Sequence, residues 1–272
     1  MTLLYSSAMV ATEITSPSNP RIKRLIALRD RRKRDQESVF VVEGARDLDR
    51  AMAAGLRPAE VYYDPARFSR PPHQADIEAT VASEVMDRAS YRGSSQGVIA
   101  VFPQFGVDLD HLELGPDPLV LVAEAIEKPG NLGAMLRTAD AVGAEALIAA
   151  DPATDPFSPN VVRASTGALF SVPVAVTDLG SAVDWLRREQ VPIVAADPDA
   201  SQDLWSVDLT GPCALLVGSE HRGISKTARS ASVSTVSIPM LGVCDSLNVS
   251  ASMAVIAYEA LRQRSQNATR KT

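Results

Sequence analysis

The sequence predicts an α/β protein with a small N-terminal domain and a larger C-terminal domain built on a parallel sheet. Its 272 residues are 46% hydrophobic and 22% charged, which is typical of a globular chain with extensive cores. Continuous apolar runs alternate with helical patterns in the second half, as in a parallel sheet covered on both faces. A Gly-, Pro- and acid-rich stretch, PQFGVDLDHLELGPDP, separates the halves. We therefore predict domains at 14–103 and 119–264, joined by a linker at 104–118.

The first domain is predicted to begin with an N-capped helix within residues 14–34. Polar residues that can cap a helix precede Pro20, which suits a first helical turn, and apolar residues recur from Ile22 to Leu28 at partly helical spacing. The elements predicted after it are a strand in SVFVVEG, a helix in ARDLDRAMAAG that ends at Gly55, and strands in VYYD and GVIAVF.

The second domain is predicted from apolar runs of strand length with helical stretches between most of them. The predicted strands are 119–126, 146–150, 172–176, 192–196, 213–218 and 236–239. The predicted helices include 132–142, 182–190 and 247–264, and either Asp245 or Ser246 can cap the last of these.

Cations concentrate in one short segment, although the net charge of the chain is −6. A chain of that charge is not expected to coat nucleic acid indiscriminately, but a local cluster can neutralise phosphates and release their counterions. The alternative is a solvated helix face, which is how many charge runs fold. The candidate phosphate-contacting residues are Arg21, Lys23, Arg24, Arg31, Arg32 and Lys33.

The sequence does not predict a metal site, a disulfide framework or a membrane-spanning segment. Cys213 and Cys244 are too far apart in sequence to form a zinc cluster or a disulfide framework, and His73, His111 and His221 lack metal-ligand spacing. No run approaches the roughly 20 apolar residues that cross a bilayer. The first 14 residues lack the basic flank and apolar run of a secretion signal, so we expect a cytoplasmic protein without a metal.

Polar, turn-forming loops follow three of the predicted strands, and ligands of open α/β sheets gather at such carboxyl ends. The loops are EKPGNLGAMLRTADAVGA, GSEHRGIS and PMLGVCDSLNVSAS. None contains a complete G-x-G-x-x-G, a phosphate-binding G-x-x-x-x-G-K-[ST] or a hydrolase G-x-S-x-G, which argues against hydride transfer, nucleotide hydrolysis and acyl hydrolysis. The residues alone predict a cofactor or substrate cleft and leave its reaction open.

At these loops the sequence resembles the SpoU-type (TrmH-like) RNA 2′-O-ribose methyltransferases of the SPOUT superfamily. The matching motifs, in order, are EKPGNLGAMLRTADAVGA, LLVGSEHRGIS and SIPMLGVCDSLNVSASMAVIAYEALR. Three motifs in order, each between a strand and a helix, are much more specific than one. The run NPRIKRLIALRDRRKRDQESVFVVEGARDLDRAM is similar to the family's small L30e-like RNA-binding domain.

The resemblance implies a fold and a set of partners that periodicity alone does not predict. The C-terminal α/β domain would contain a deep trefoil knot, and two copies would form a homodimer whose active sites are completed across the interface. S-adenosylmethionine would be the methyl donor, with no metal required. The substrate would be a structured RNA held in part by the N-terminal domain.

The resemblance also assigns roles to individual residues. The implied catalytic residues are Arg137, Asn131, Glu220, Ser246 and Asn248. The residues implied to bind S-adenosylmethionine, mainly through backbone groups, are Gly218, Ile238, Met240 and Leu247, with Ala195 and Ala196 lining the same pocket. Arg163, in the segment RASTG, joins the basic cluster as a candidate RNA contact.

Three functions compete on the sequence. The preferred one is 2′-O-methylation of 23S ribosomal RNA, because the N-terminal segment resembles that of rRNA-directed members. Transfer RNA is an alternative acceptor, since the motifs address the cofactor and the ribose more than the RNA. A non-catalytic RNA-binding or ribosome-assembly protein is the alternative from another class, and the four polar residues Arg137, Glu220, Ser246 and Asn248 argue against it.

Overall fold

The structure, a computed structural model, describes residues 13–69 and 75–271. The chain divides into two compact units, Met1–Gln104 and Phe105–Thr272. The expectation of an N-terminus without a secretion signal falls almost wholly on residues outside the described ones, as does His73. None of the helices in the described ranges is both long and apolar enough to cross a bilayer.

The described part of the first unit is a four-stranded sheet with helices. Its elements are α1 (Pro20–Ala27), α2 (Arg31–Glu37), β1 (Val39–Glu43), α3 (Ala45–Ala53), β2 (Glu60–Tyr63), β3 (Ile77–Thr80), α4 (Ser83–Ala89) and β4 (Val98–Pro103). The strand order is β1-β4-β2-β3, with β2 and β3 parallel and the other pairs antiparallel. The predicted strands β1, β2 and β4 and the helix α3 are confirmed, whereas β3 and α4 were not foreseen.

The prediction of one helix within 14–34 is wrong, because the segment forms α1 and α2 with a break between them. The Asn19 side chain accepts from Arg21 N at 2.9 Å and starts α1, as expected for a cap. The Asp30 side chain accepts from Arg32 N at 2.8 Å and starts a second helix. Arg34, 1% exposed, donates to the carbonyls of Leu28 and Arg29 beyond the end of α1. A capping aspartate inside the basic run therefore divides it.

The described part of the second unit is a parallel sheet whose strands alternate mostly with helices. Its elements are β5 (Leu119–Glu124), α5 (Pro129–Val142), β6 (Ala146–Ala150), α6 (Pro159–Ser165), β7 (Val174–Thr177), α7 (Leu179–Arg188), β8 (Ile193–Ala196), β9 (Gln202–Asp203), β10 (Cys213–Val217), α8 (Lys226–Ala231), β11 (Ser234–Ser237) and α9 (Val249–Lys271). Across these residues the seven strands lie in the order β7-β6-β5-β10-β8-β11-β9, and every pair is parallel. The parallel α/β fold predicted from the apolar runs is confirmed.

The segment 104–118, expected to be a linker, packs almost entirely as part of the second unit. Leu112 is buried in the core of that unit, and Val176 N donates to Val107 O at 2.7 Å. Gly115 N donates to the Glu145 carboxylate. The acidic Gly- and Pro-rich composition thus marks irregular structure that is nevertheless anchored to the sheet.

The last helix is longer than predicted and returns to the middle of the sheet. Asn248, and neither Asp245 nor Ser246, accepts from Ser250 N at 3.0 Å at its start, and the helix continues to Lys271 instead of ending at 264. It packs against α5 and β10. Arg264 fastens it there by donating to the carbonyls of Asp117, Pro118, Leu209 and Gly211. The knot implied by the family resemblance stays a prediction.

Candidate active site

The three motif loops meet because their strands are neighbours in one parallel sheet. β10 lies between β5 and β8, and β8 lies next to β11, so the chain segments after β5, β10 and β11 leave the same sheet edge. The register places Val217 beside Ala123, and Val236 beside Ala196, near the carboxyl ends of their strands. This is the edge at which open α/β sheets bind ligands.

A chain of side-chain hydrogen bonds joins the three loops. The Asn131 amide Nδ2 donates to Glu220 Oε1, and Asn131 Oδ1 accepts from Asn248 Nδ2 at 3.4 Å. Asn248 Oδ1 in turn accepts from the backbone N and the hydroxyl of Ser250, at 3.0 and 2.7 Å. Residues separated by 89 and 117 positions in sequence are therefore brought together. We call Glu220, Asn131 and Asn248 the polar network.

One oxygen of the network is left open. Glu220 Oε2 is buried and has no hydrogen-bond partner among the described residues. A buried carboxylate oxygen without a donor is energetically costly, so such an atom marks a place where a ligand donor or a water completes the site. The network can therefore accept one further hydrogen bond at its Glu220 end.

The turn that carries Glu220 is tightly closed. Ser219 and Gly223 exchange backbone hydrogen bonds of 3.0 and 3.1 Å, and Gly223 has φ +62°, a conformation that favours glycine. Gly218 directly precedes this turn, and a Cβ built there would lie 2.0 Å from Gly223 O. The close backbone approach explains why the second motif needs glycine at position 218.

Glu124 is a buried carboxylate that the sequence analysis missed. It ends the apolar strand β5, is 5% exposed, and accepts from Ser225 N at 3.0 Å. The Ser225 hydroxyl in turn accepts from Ala228 N at 3.1 Å and caps α8. Glu124 therefore anchors the chain just after the Glu220 turn. The charged residue at the end of the apolar run LVLVAE was the feature of the sequence that could have pointed to Glu124.

We expect Glu124→Ala to loosen the Glu220 turn locally. The substitution leaves the Ser225 N–H without its acceptor, so the free energy of local opening should fall by about 1–3 kcal/mol. Amide hydrogen exchange over residues 219–228 measures this, with Glu124→Gln, which keeps an acceptor oxygen, as the matched control. Unchanged exchange in Glu124→Ala would contradict the anchoring role.

A small cavity of about 40 Å³ adjoins the loop after β11. Four residues predicted around the cofactor or the catalytic centre line it, namely Ile238, Met240, Ser246 and Leu247. The other lining residues are Asp197, Pro198, Asp245 and Ser252. The predicted residues Ala195, Ala196 and Gly218 do not line it, and Ala195 is packed in the core of the sheet. The wall combines apolar side chains with carboxylates and hydroxyls.

Asp197 is a second residue that the sequence analysis missed. It follows β8 directly, is 3% exposed, and forms an ion pair with Arg229. Its Oδ1 also accepts from Asp199 N at 3.1 Å. A carboxylate at the end of an apolar strand was again the available signal.

Arg137 and Ser246 make no hydrogen bond with Glu220, Asn131 or Asn248. Arg137 lies six residues after Asn131 on α5, so at 100° per residue the two side chains leave different faces of the helix. It is exposed and makes no hydrogen bond or ion pair with the described residues. Its guanidinium is thus available to a group from outside this chain.

The predicted RNA contacts differ in their availability. Arg24 binds Glu37 and Glu60 at 2.6 and 2.7 Å, and Lys33 binds Glu37 at 2.8 Å. Although burial acts to raise the pKa of Glu37, its bonds to Lys33 and Arg24 lower that pKa below the usual value. Arg31 is exposed and lies 3.3 Å from Asp35, and Arg163 donates to Asn160. The candidates that are exposed and unpaired among the described residues are Arg21, Lys23 and Arg32.

Within residues 13–69 and 75–271, no cluster of three or more His, Cys, Asp or Glu side chains is arranged to hold a metal ion.

Comparison with known proteins gives consistent matches to both units. The model described as the SpoU rRNA Methylase family matches residues 118–258, and the MRM3-like substrate binding domain matches residues 19–100. The 23S rRNA (uridine(2479)-2′-O)-methyltransferase of Streptomyces viridochromogenes is 34% identical over 278 residues, covering 96% of each protein. The 23S rRNA (guanosine-2′-O-)-methyltransferase RlmB of Ralstonia nicotianae is 36% identical, covering 76% of this chain and 88% of that protein.

A solved structure agrees with these matches. The SpoU methyltransferase AviRb from Streptomyces viridochromogenes, in complex with the cofactor AdoMet, superposes with a TM-score of 0.81 at 32% identity. The match covers 90% of this chain and 98% of that one.

Proposed function

The chain belongs to the SpoU rRNA Methylase family, and from this premise we propose that it methylates a ribose 2′-hydroxyl of 23S ribosomal RNA with S-adenosylmethionine as donor. The chain is accordingly an RNA 2′-O-ribose methyltransferase. The observation that carries the proposal is the polar network, in which three motifs distant in sequence meet at one sheet edge. A scaffold without catalytic function would not need this arrangement.

Ribosomal RNA is preferred to transfer RNA as the acceptor. The two curated relatives described above are both named for 23S rRNA, and the similarity to the first covers both units of this chain. The first unit also matches a substrate-binding domain. An rRNA substrate would place the reaction in the cytoplasm.

The residues around the cavity after β11 have the chemistry to contact part of the methyl donor. Ile238, Met240 and Leu247 offer apolar contacts suited to an adenine ring, and Ser246 offers a hydroxyl to polar groups. Asp197 also lines this wall, and its carboxylate is already engaged by Asp199 N and Arg229. When bound, S-adenosylmethionine supplies an electrophilic methyl group on its sulfonium.

The chain's own residues must position the ribose and stabilise the charge that develops on it. In methyl transfer the ribose oxygen would take the methyl group, S-adenosylhomocysteine would leave, and the hydroxyl proton would pass to solvent. Arg137 is suited to bind the phosphate next to this ribose and to stabilise negative charge on the 2′-oxygen. A guanidinium is a poor proton acceptor because it stays protonated in proteins.

Glu220 supplies a hydrogen-bond acceptor, which the guanidinium of Arg137 cannot provide. Its Oε2 is the open acceptor of the polar network, while Oε1 is held by Asn131. Asn131 in turn is oriented by Asn248, so the carboxylate is held from one side and can receive a donor on the other. In this proposal Glu220 and Asn131 hold and orient a hydroxyl or ammonium group at the reaction centre.

The active unit in this proposal is a homodimer. Leu241 and Val243 are fully exposed on the loop that bounds the cavity, and Tyr258 on α9 is 52% exposed. Large apolar side chains left in solvent near a candidate site are typical of a protein interface. Sedimentation equilibrium that detected only the monomer mass would contradict the dimer.

We expect the wild-type protein to transfer radiolabelled methyl groups from S-adenosylmethionine to 23S rRNA transcripts or 50S precursors, with bulk transfer RNA unlabelled. The modified ribose should resist alkaline cleavage, because 2′-O-methylation removes the attacking hydroxyl. Label in transfer RNA alone would overturn the proposed acceptor. Absence of S-adenosylmethionine binding by calorimetry would overturn the enzymatic proposal.

A further inference from the structure

Two exposed cations flank the polar network and have no partner in the described part of the chain. Lys128 follows β5 and directly precedes α5, whereas Arg222 lies in the Ser219–Gly223 turn after β10. Neither side chain makes a hydrogen bond or ion pair with a described residue. The sequence analysis assigned no role to either.

The backbone places both cations next to the same pair of side chains. Lys128 O accepts from Asn131 N at 3.0 Å, so Lys128 lies within one helical turn of Asn131. Arg222 is two residues from Glu220, and its backbone N donates to Ser219 Oγ at 3.1 Å within the closed turn. Since Asn131 donates to Glu220, Lys128 and Arg222 approach the network from two different loops.

Several cations elsewhere in the second unit are neutralised by carboxylates. Arg187 pairs with Asp184 at 2.8 Å, Arg262 with Glu259 at 2.7 Å, and Arg229 with Asp197. Glu127 and Asp245 are exposed near the sheet edge, yet neither pairs with Lys128 or Arg222. An exposed cation without an ion pair can bind a phosphate without first losing a carboxylate.

The start of α5 supports the same ligand chemistry. No side chain caps this 14-residue helix and its first turn contains no acidic residue. A Cβ built on Gly130 would meet no atom within 4 Å, so the space beside the first turn is open. The helix dipole therefore adds to the positive charge of Lys128.

We propose that Lys128 and Arg222 bind backbone phosphates of the target RNA strand on either side of the ribose held at the polar network. This inference rests on the proposed function and specifies how the catalytic unit itself holds its substrate. Phosphate contacts position a nucleic acid without reading its sequence. The pair would therefore fix the position of the strand, while the first unit contributes to the choice of RNA.

Filter binding of a 23S rRNA transcript to the full-length protein tests the pair. We expect Lys128→Gln and Arg222→Gln each to raise the Kd roughly threefold or more near physiological salt, and the double variant to raise it further. The slope of log K against log salt should fall by about 0.7 per substitution, the value for a single-stranded phosphate contact. The loss should appear mainly in KM, with S-adenosylmethionine affinity unchanged.

Arg188→Gln is the matched control. Arg188 is exposed, has no ion pair with a described residue, and lies at the end of α7, away from the carboxyl ends of the strands. If the double variant matches Arg188→Gln in Kd and salt slope, the phosphate-binding pair is refuted. If the wild-type protein labels no ribosomal RNA, the proposed function is refuted. If the wild-type protein is active and the variants bind RNA as it does, only the phosphate-binding pair is refuted.

Discussion

Arg137→Ala is expected to lower the rate of methyl transfer by about 100-fold or more while S-adenosylmethionine binding stays within about twofold. The guanidinium is exposed and unpaired among the described residues, so its removal leaves no buried group unsatisfied and should not unfold the protein. The loss should therefore fall on the transition state, where charge develops on the ribose oxygen. Single-turnover methyl transfer to 23S rRNA measures the rate, and calorimetry measures donor binding.

Arg137→Lys distinguishes two ways in which the residue can act. If positive charge alone stabilises the developing oxyanion, the lysine variant should keep much of the activity. If the planar guanidinium must hold a phosphate through two parallel hydrogen bonds, the lysine variant should be nearly as slow as alanine. Activity within about threefold of wild type in the alanine variant would refute a role for Arg137 at the reaction centre.

Gly218→Ala should reduce the rate of methyl transfer about as much as Arg137→Ala does. Here the cause is a displaced backbone turn and not the loss of a side chain that contacts substrate. The new Cβ would lie 2.0 Å from Gly223 O, so the closed turn must shift and carry Glu220 away from Asn131. Overpacking of this kind typically costs about 1–3 kcal/mol of unfolding free energy. Urea denaturation measures the stability loss, and the methyl-transfer assay measures the loss of activity.

Gly211→Ala provides the control for the general cost of replacing glycine. A Cβ built at Gly211 meets no atom within 4 Å. The backbone φ of Gly211 is one that residues with side chains adopt readily. We expect its stability and activity to stay close to those of wild type. Equal behaviour of the two alanine variants would show that the Glu220 turn tolerates a side chain at position 218.

Measurements of both stability and activity should distinguish the effect of Arg137→Ala from that of Gly218→Ala. Arg137→Ala should keep wild-type stability, because the exposed side chain makes no hydrogen bond or ion pair with a described residue. Gly218→Ala should lose stability and activity together, because the same backbone contact supports both. A stable, inactive Gly218→Ala protein would indicate that the turn moves without cost and that Glu220 matters more than the packing.

Local pattern was sufficient to predict six of the seven strands described in the sheet of the second unit. Buried parallel strands are apolar along their whole length, so β5, β6, β8 and β10 were visible as uninterrupted runs. The short β9 has two residues and no such run, which is why it was missed. In the first unit, Asp30 looked like a lone acid among cations, and only the structure showed it capping a second helix.

The sequence by itself predicted the parallel α/β fold, because apolar runs are local properties, and its resemblance to a known family pointed to Asn131, Glu220 and Asn248 as site residues. Only the tertiary structure decided which residues meet. It placed β10 beside β5, joined Glu220 to Asn131, and used Arg24 and Lys33 in ion pairs with carboxylates. Strand order and charge pairing depend on contacts between residues far apart in the chain. Those contacts form only when the whole core packs, so a local pattern does not encode them.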